Sequence, residues 1–182
     1  MRIKNKLESA NKIKELGLNT LPEELFRKGQ EHAVESFMNK WDAQYFSIRN
    51  KEVVGFRAGI GLTREEVLEE IKDYNFFSVM VAPCNYADDL ILAGDIRIDK
   101  KNQVWLTASK IEYIKFLKEA PEYNFCTDIF DRKLGDIPGF DIILKYIMDH
   151  NLIDVIIEFE VHEKPMGIKN EQVAIMEIRT DY

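Results

Sequence analysis

Two runs near the carboxyl terminus constrain the fold more than any other stretch. Val155, Ile157, Phe159 and Val161 alternate with Ile156, Glu158, Glu160 and His162, and Ala174, Met176 and Ile178 alternate with Val173, Ile175, Glu177 and Arg179. A period of two sends successive side chains to opposite faces of a strand. The chain is therefore expected to close on two strands joined by a loop near residues 165–170. If their register sets Glu158 near Glu177, one sheet face presents two or three carboxylates beside the Arg179 guanidinium; a slip of one residue separates them. Gathered carboxylates repel one another, a hard divalent cation relieves that repulsion, and an adjacent arginine can hold a phosphate that the metal also touches. A solvated antiparallel face carries the same kind of charges, and periodicity alone leans toward that plainer arrangement.

Upstream, helical and extended patterns alternate. Leu7, Ala10, Ile13 and Leu16 recur at helical spacing, with Gly17 as a C-terminal stop. Thr20 and Glu23 read as a capping box around Pro22, opening a helical stretch to about Lys40 that Gly29 interrupts. Tyr45, Phe46, Ile48, Val53, Val54 and Phe56 predict a hairpin turning at Asn50-Lys51. Thr63 with Glu66 is a second capping box, ahead of a helix through Val67, Leu68 and Ile71. Residues 76–81 predict a strand, and residues 90–98 and 103–108 a hairpin about the polar cluster Asp99-Lys100-Lys101-Asn102. Helical patterns resume at residues 111–117 and 138–148.

With 182 residues and no linker, repeat or low-complexity segment, the chain is expected to form one domain of two lobes at most. Its net charge of −7 would repel a phosphate backbone, so nucleic acid is not an expected partner. No apolar run approaches the roughly 18–20 residues of a membrane span, and residues 1–15 are charged throughout, so a cytoplasmic protein without a membrane partner is expected. Cys84 and Cys126 form no CxxC motif and are expected to be reduced core thiols.

Other constellations are weaker. Gly59-Ile60-Gly61 before the helix invites a phosphate loop, but no GK[ST] follows and Glu65 and Glu66 bring negative charge to the first turn; a tight turn is favoured. Arg57 either reaches a phosphate from the hairpin that carries Arg49 or is a surface cation. Arg97 alternates with Asp95 and Asp99 and either pairs with an acid or holds a phosphate. His162 is expected to face solvent, and Trp41 and Trp105 to pack in the core or a cleft.

The ordered set of segments resembles a known family. IIEFEV (residues 156–161) followed by VAIMEIRT (173–180) is similar to the end of the ATP-grasp nucleotide-binding domain of pyruvate phosphate dikinase and phosphoenolpyruvate synthase. YFSIRN (45–50) resembles that domain's VAVRS strand, ANKIKELGLNTLPE (10–23) its amino-terminal ANL segment, and FSVMVAP (77–83), with Gly94 downstream, its hinge strand. The resemblance implies an α+β, reduced ATP-grasp-like domain: two lobes with antiparallel sheets and flanking helices, residues 1–74 and 75–182, with the nucleotide between them. It implies ATP and Mg²⁺ as cofactors. Arg49 and Arg179 would hold the phosphates, with Arg57 and Arg97 as further candidates; Glu158 and Glu177 would coordinate the metal, with Glu160 as a spare acid. Adenine would meet main-chain groups at Val81 or Ala82.

Several positions depart from the family pattern. Glu8-Ser9 stands in place of a Lys-Gly pair, leaving Lys6 or Lys12 to substitute; no serine-rich loop follows Arg49; and Glu177 replaces a glutamine. The phosphohistidine and pyruvate-binding domains have no counterpart in this sequence, so a complete dikinase is not expected. The resemblance thus implies an ATP-dependent phosphotransferase or ligase working with a separate acceptor. The alternatives are a nucleotide-binding module without turnover and an interaction domain that binds no nucleotide.

Overall fold

The alternating segments become strands in two sheets. A computed structural model describes residues 3, 6–51, 58–109 and 121–180. In chain order the elements are α1 (Lys6–Glu15), β1 (Glu23–Arg27), α2 (Glu31–Lys40), β2 (Phe46–Asn50), β3 (Ala58–Leu62), α3 (Arg64–Glu70), β4 (Phe76–Val81), β5 (Leu90–Ile98), β6 (Gln103–Ser109), β7 (Tyr123–Asp128), α4 (Phe140–Asp149), β8 (Ile156–Met166) and β9 (Glu171–Arg179). This is the α+β, ATP-grasp-like arrangement of antiparallel sheets and helices that the family resemblance implies. No helix among the described residues is long and apolar enough to cross a membrane.

The chain divides into two compact units, Leu21–Asp88 and the combination of Met1–Thr20 with Asp89–Tyr182. The divisions fall there rather than at Tyr74 because β4 pairs with both β1 and β2, while α1 packs on β9.

Leu21–Asp88 is built on an antiparallel sheet of order β1-β4-β2-β3. Phe26, Phe46, Ile48, Phe77, Val79 and Val81 bury one face with Val34, Phe37 and Met38 of α2 and Val67 of α3. The opposite face carries Glu23, Arg49 and Ser78. The capping box at Thr63 forms as expected, with reciprocal bonds between Thr63 and Glu66. Two expectations about secondary structure fail in this unit. Glu23–Arg27 is a strand rather than the start of a helix, because Phe26 alternates inward and the segment has a partner in β4; the helix begins only at Glu31, after a turn through Gly29 (φ +83°). Gly59-Ile60-Gly61 lies in β3, paired with β2, rather than in a turn. The segment carrying Val53, Val54, Phe56 and Arg57 lies outside the described residues.

The other unit is built on an antiparallel sheet of order β7-β6-β5-β8-β9. Ile96, Val104, Leu106, Ile157, Phe159 and Ile178 form its core with Phe140, Ile143 and Ile147 of α4. The β5–β6 turn forms as predicted: the Asp99 carboxylate accepts from the N–H groups of Lys101 (2.7 Å) and Gln103 (3.0 Å), and Asn102 takes φ +60°. Strand β7 has no counterpart among the sequence expectations, and the helix expected at residues 111–117 lies outside the described residues. Asn19 ties the chain beyond α1 to the closing hairpin: its buried amide donates to Met166 O (2.9 Å) and Val173 O (2.8 Å) and accepts from Lys169 N (2.9 Å).

Candidate functional site

The register of β8 and β9 is the one that gathers charge. Glu158 opposes Glu177, and on its other side Asp95 of β5 opposes Glu158, so three carboxylates form a row across three adjacent strands. A bulge sets this phase. The pairing runs Glu158↔Glu177 and then Phe159↔Ile175, leaving Met176 as the extra residue. Strict alternation would oppose Ile178 to Val173 and Ile175. With the bulge, Val173, Ile175 and Ile178 all enter the core, and Glu177 and Arg179 share the open face with Glu158.

The row is partly covered. Glu158 and Glu177 keep only 17% and 16% of their side chains exposed. Burial, followed by repulsion from Glu177 and Asp95, pushes the Glu158 carboxyl up to about 7, and Lys6 and Arg179 pull against that rise. The Arg179 guanidinium spans Asp95 (3.3 Å) and Glu158 (3.6 Å), while Lys6 Nζ lies 3.6 Å from Glu177. Of the two lysines offered as substitutes for the missing Lys-Gly pair, Lys6 reaches this row and Lys12 pairs with Glu15 instead (2.8 Å).

Among the described residues, no three His, Cys, Asp or Glu side chains converge as a metal cage. Mg²⁺ is commonly held by one or two carboxylates together with water and substrate phosphates. Glu158 and Glu177, partly covered and mutually repelling, are a fitting donor pair for it.

Glu160 faces the same side of β8 but is engaged elsewhere. It lies 3.0 Å from His162 Nε2, and both residues are buried. The expectation that His162 faces solvent is therefore wrong: it is 1% exposed. Arg97 lies one row along from Asp95 and pairs with Asp154 (3.2 Å). Both cysteines are exposed rather than core thiols, and Trp105 stands half open on the sheet face.

In Leu21–Asp88, Arg49 sits on β2 opposite Ser78. Beside it, Lys51, only 6% exposed, pairs with Glu23 (3.2 Å), and Ser78 donates to the same carboxylate. Burial raises the Glu23 carboxyl, but Arg49, Lys51 and Ser78 together outweigh it and hold the group below its ordinary value. The expected adenine contacts fare less well. Val81 and Ala82 are fully buried, and their N–H groups donate to Pro22 O (2.9 Å) and Tyr45 O (3.0 Å). Those two donors are thus already engaged. Arg57 lies outside the described residues.

Asp95, Glu23 and Lys51 were not singled out as site residues from the sequence. Asp95 had a signal in the Asp95/Arg97/Asp99 alternation, but only the adjacency of β5 and β8 puts it beside Glu158.

No family model matches the chain, and no curated protein matches it. Solved structures do. A D-alanine-D-alanine ligase from Helicobacter pylori superposes with a TM-score of 0.52 at 14% identity, over 96% of this chain and 53% of its own. The macrocyclase MdnC from Microcystis aeruginosa, bound with its precursor peptide, gives 0.54 at 15%, over 96% of this chain and 51% of its own. An N5-carboxyaminoimidazole synthetase from Staphylococcus aureus, complexed with ADP, gives 0.54 at 12%, over 97% and 44%. The chain thus spans about half the length of the structures it matches. These neighbours are ATP-grasp enzymes, and they support that fold without supporting the dikinase family in particular.

Proposed function

We propose that this chain binds Mg·ATP on the open face of the five-stranded sheet and belongs to an ATP-dependent ligase or phosphotransferase that acts on a separate acceptor. The observation that carries the proposal is the opposition of Glu158 and Glu177, with Arg179 across Glu158 and Asp95, on a fold shared with ATP-dependent ligases. Glu158 and Glu177 would hold the metal, which supplies neutralisation of phosphate charge and a template for in-line transfer. Arg179 and Lys6 orient phosphate oxygens by charge-assisted hydrogen bonds and offset the charge that builds on the transferring group. Arg49, on the strand that resembles VAVRS, is the phosphate-contacting candidate that Leu21–Asp88 carries on its own sheet. The ligase neighbours support a ligase more than a dikinase-like phosphotransferase.

A second reading, a nucleotide-binding module without turnover, is favoured by Glu8-Ser9 in place of Lys-Gly. Calorimetric titration of ATP, with and without Mg²⁺, tests the proposal on the wild type, Glu177→Ala and Arg49→Ala. Saturable, Mg²⁺-dependent binding that weakens at least tenfold in both variants supports it. No binding at millimolar ATP sinks both readings, and ADP release in the presence of candidate acceptors separates the enzyme from the module.

A further inference from the structure

We infer that a recess at one end of the five-stranded sheet, lined by α1, the segment after α4 and the β5–β6 turn, binds a small organic anion, a carboxylate or phosphate on a short apolar stem. Val155, in its wall, points to the side of the sheet that Ile13 of α1 and Ile147 of α4 cover, whereas Glu158 points to the other. The recess is therefore separate from the row of carboxylates and does not depend on the nucleotide proposal.

Local backbone chemistry shapes the recess. Helix α4 stops at Asp149, and the N–H groups of His150, Asn151 and Leu152 close back onto the carbonyls of Tyr146 (3.3 Å), Met148 (3.3 Å) and Ile147 (2.9 Å). Asn151 and Asp154 then take φ of +51° and +59°, and the Asp154 N–H donates to Ile98 O (2.9 Å), which delivers Val155 to the start of β8. The β5–β6 turn brings Lys100 and Asn102 to the same place, and α1 brings Lys12. The space left between these segments is about 550 Å³, the size of a small-molecule site.

The lining inverts the charge balance of the chain. The net charge is −7, yet the recess carries Lys12, Lys100 and His150 against one carboxylate, Asp99. That carboxylate is used by the turn, where its Oδ1 accepts from two main-chain N–H groups. Both ammonium groups can be recruited. Lys12 pairs with Glu15 in an i,i+3 contact whose acid is 67% exposed, and such solvated pairs are worth little. Lys100 is 85% exposed, and when it turns to a ligand Asp154 keeps Arg97 (3.2 Å) as its partner. The Asn102 and Asn151 amides and the His150 imidazole have no hydrogen-bond partner among the described residues. Single exposed amides are ordinary, but here two of them and an imidazole share one concavity with two amines. The negative end of α4 would otherwise draw a cation; its last carbonyls are already capped, which leaves the amines to select an anion. Ile153 and the buried Val155 supply an apolar wall for the stem.

The chain has three histidines, and two serve as references: His32 is exposed in the other unit and His162 is buried. Imidazole and side-chain amide NMR signals of the full chain are followed while butyl phosphate, pentanoate, inorganic phosphate, acetate and butylammonium are titrated at constant ionic strength. The expected result is saturable shifts of His150, Asn102 and Asn151 at low millimolar butyl phosphate or pentanoate, with His32 and His162 unmoved. The tighter of the two tells phosphate from carboxylate. The stemless anions should bind at least about fivefold more weakly, and butylammonium should not saturate. Lys12→Gln and Lys100→Gln should each weaken binding about fivefold, whereas Lys100→Arg should retain most of it. No saturable shift up to about 50 mM, equal affinity in Lys12→Gln/Lys100→Gln, or an equal response to butylammonium overturns the inference.

Discussion

Glu158 and Glu177 lie directly opposite each other across β8 and β9, both largely covered, with Asp95 on the far side of Glu158. Three like charges in one row of a sheet are costly without a counter-charge, and Arg179 and Lys6 compensate only in part, since Glu158 remains pushed up to about 7.

That rise makes metal binding depend on pH. Protons and Mg²⁺ compete for Glu158, so Mg²⁺ affinity should increase about tenfold between pH 6 and pH 8 and level off above. Calorimetry across that range checks it. A flat profile would place the metal elsewhere.

The same group affects stability in the metal-free protein. Its folded pKa lies above the unfolded value of 4.5, so between those values the folded state binds more protons than the unfolded state, and stability falls as pH rises from about 4.5 to 7. The total is at most about 3 kcal/mol. Glu158→Gln should flatten this dependence, stabilise the metal-free protein at pH 8 and lose Mg²⁺ binding. Urea denaturation at pH 5 and pH 8 measures the first two.

Glu23 acts in the opposite direction. Its folded pKa is depressed, so its contribution is present above the unfolded value and is lost as pH falls through the folded one. Glu23→Ala strands Lys51, which is 6% exposed, as a buried charge with its partner removed. The expected cost is about 3–5 kcal/mol, most of it recovered in Glu23→Ala/Lys51→Met. A double mutant no more stable than the single one would mean that Lys51 finds another partner.

Deleting Met176 removes the bulge and returns β9 to strict alternation. Either Ile178 leaves the core or Val173 and Ile175 do, so the deletion should cost more than about 3 kcal/mol and abolish Mg²⁺-dependent ATP binding, whereas Met176→Ala should cost about 1 kcal/mol or less. Thermal melts of both variants decide between these outcomes.

At Gly94 the backbones of β5 and β6 leave no room for a side chain: a Cβ there would clash with Thr107 O and with Ala108 Cβ. Gly94→Ala must push backbone apart beside Asp95, with an expected loss of about 2–4 kcal/mol. A melting temperature within experimental error of wild type would refute this.

Local chemistry was legible wherever it was decided by neighbours in sequence. The Thr63–Glu66 capping box, the Asp99–Asn102 turn, and strands β4, β5 and β8 all follow from short-range periodicity or from side chains bonding to nearby backbone. Glu23–Arg27 was misread because Thr20 and Glu23 also fit a helix cap, and only the availability of β4 as a partner chose the strand. His162 was misread because alternation tells which face a residue occupies, not whether that face is covered.

By itself, the sequence determined that the chain closes on two alternating strands and that Glu158, Glu177 and Arg179 are on them. Only the tertiary structure decided that these three share a face. A bulge at Met176 changes the phase of β9 midway, and the packing of Val173, Ile175 and Ile178 into one core favours that change. The strand order then sets Asp95, more than sixty positions earlier in the chain, beside Glu158. A period-two pattern contains neither fact, because a bulge and a strand neighbour are properties of pairing between segments, and pairing is selected by the burial of the whole sheet.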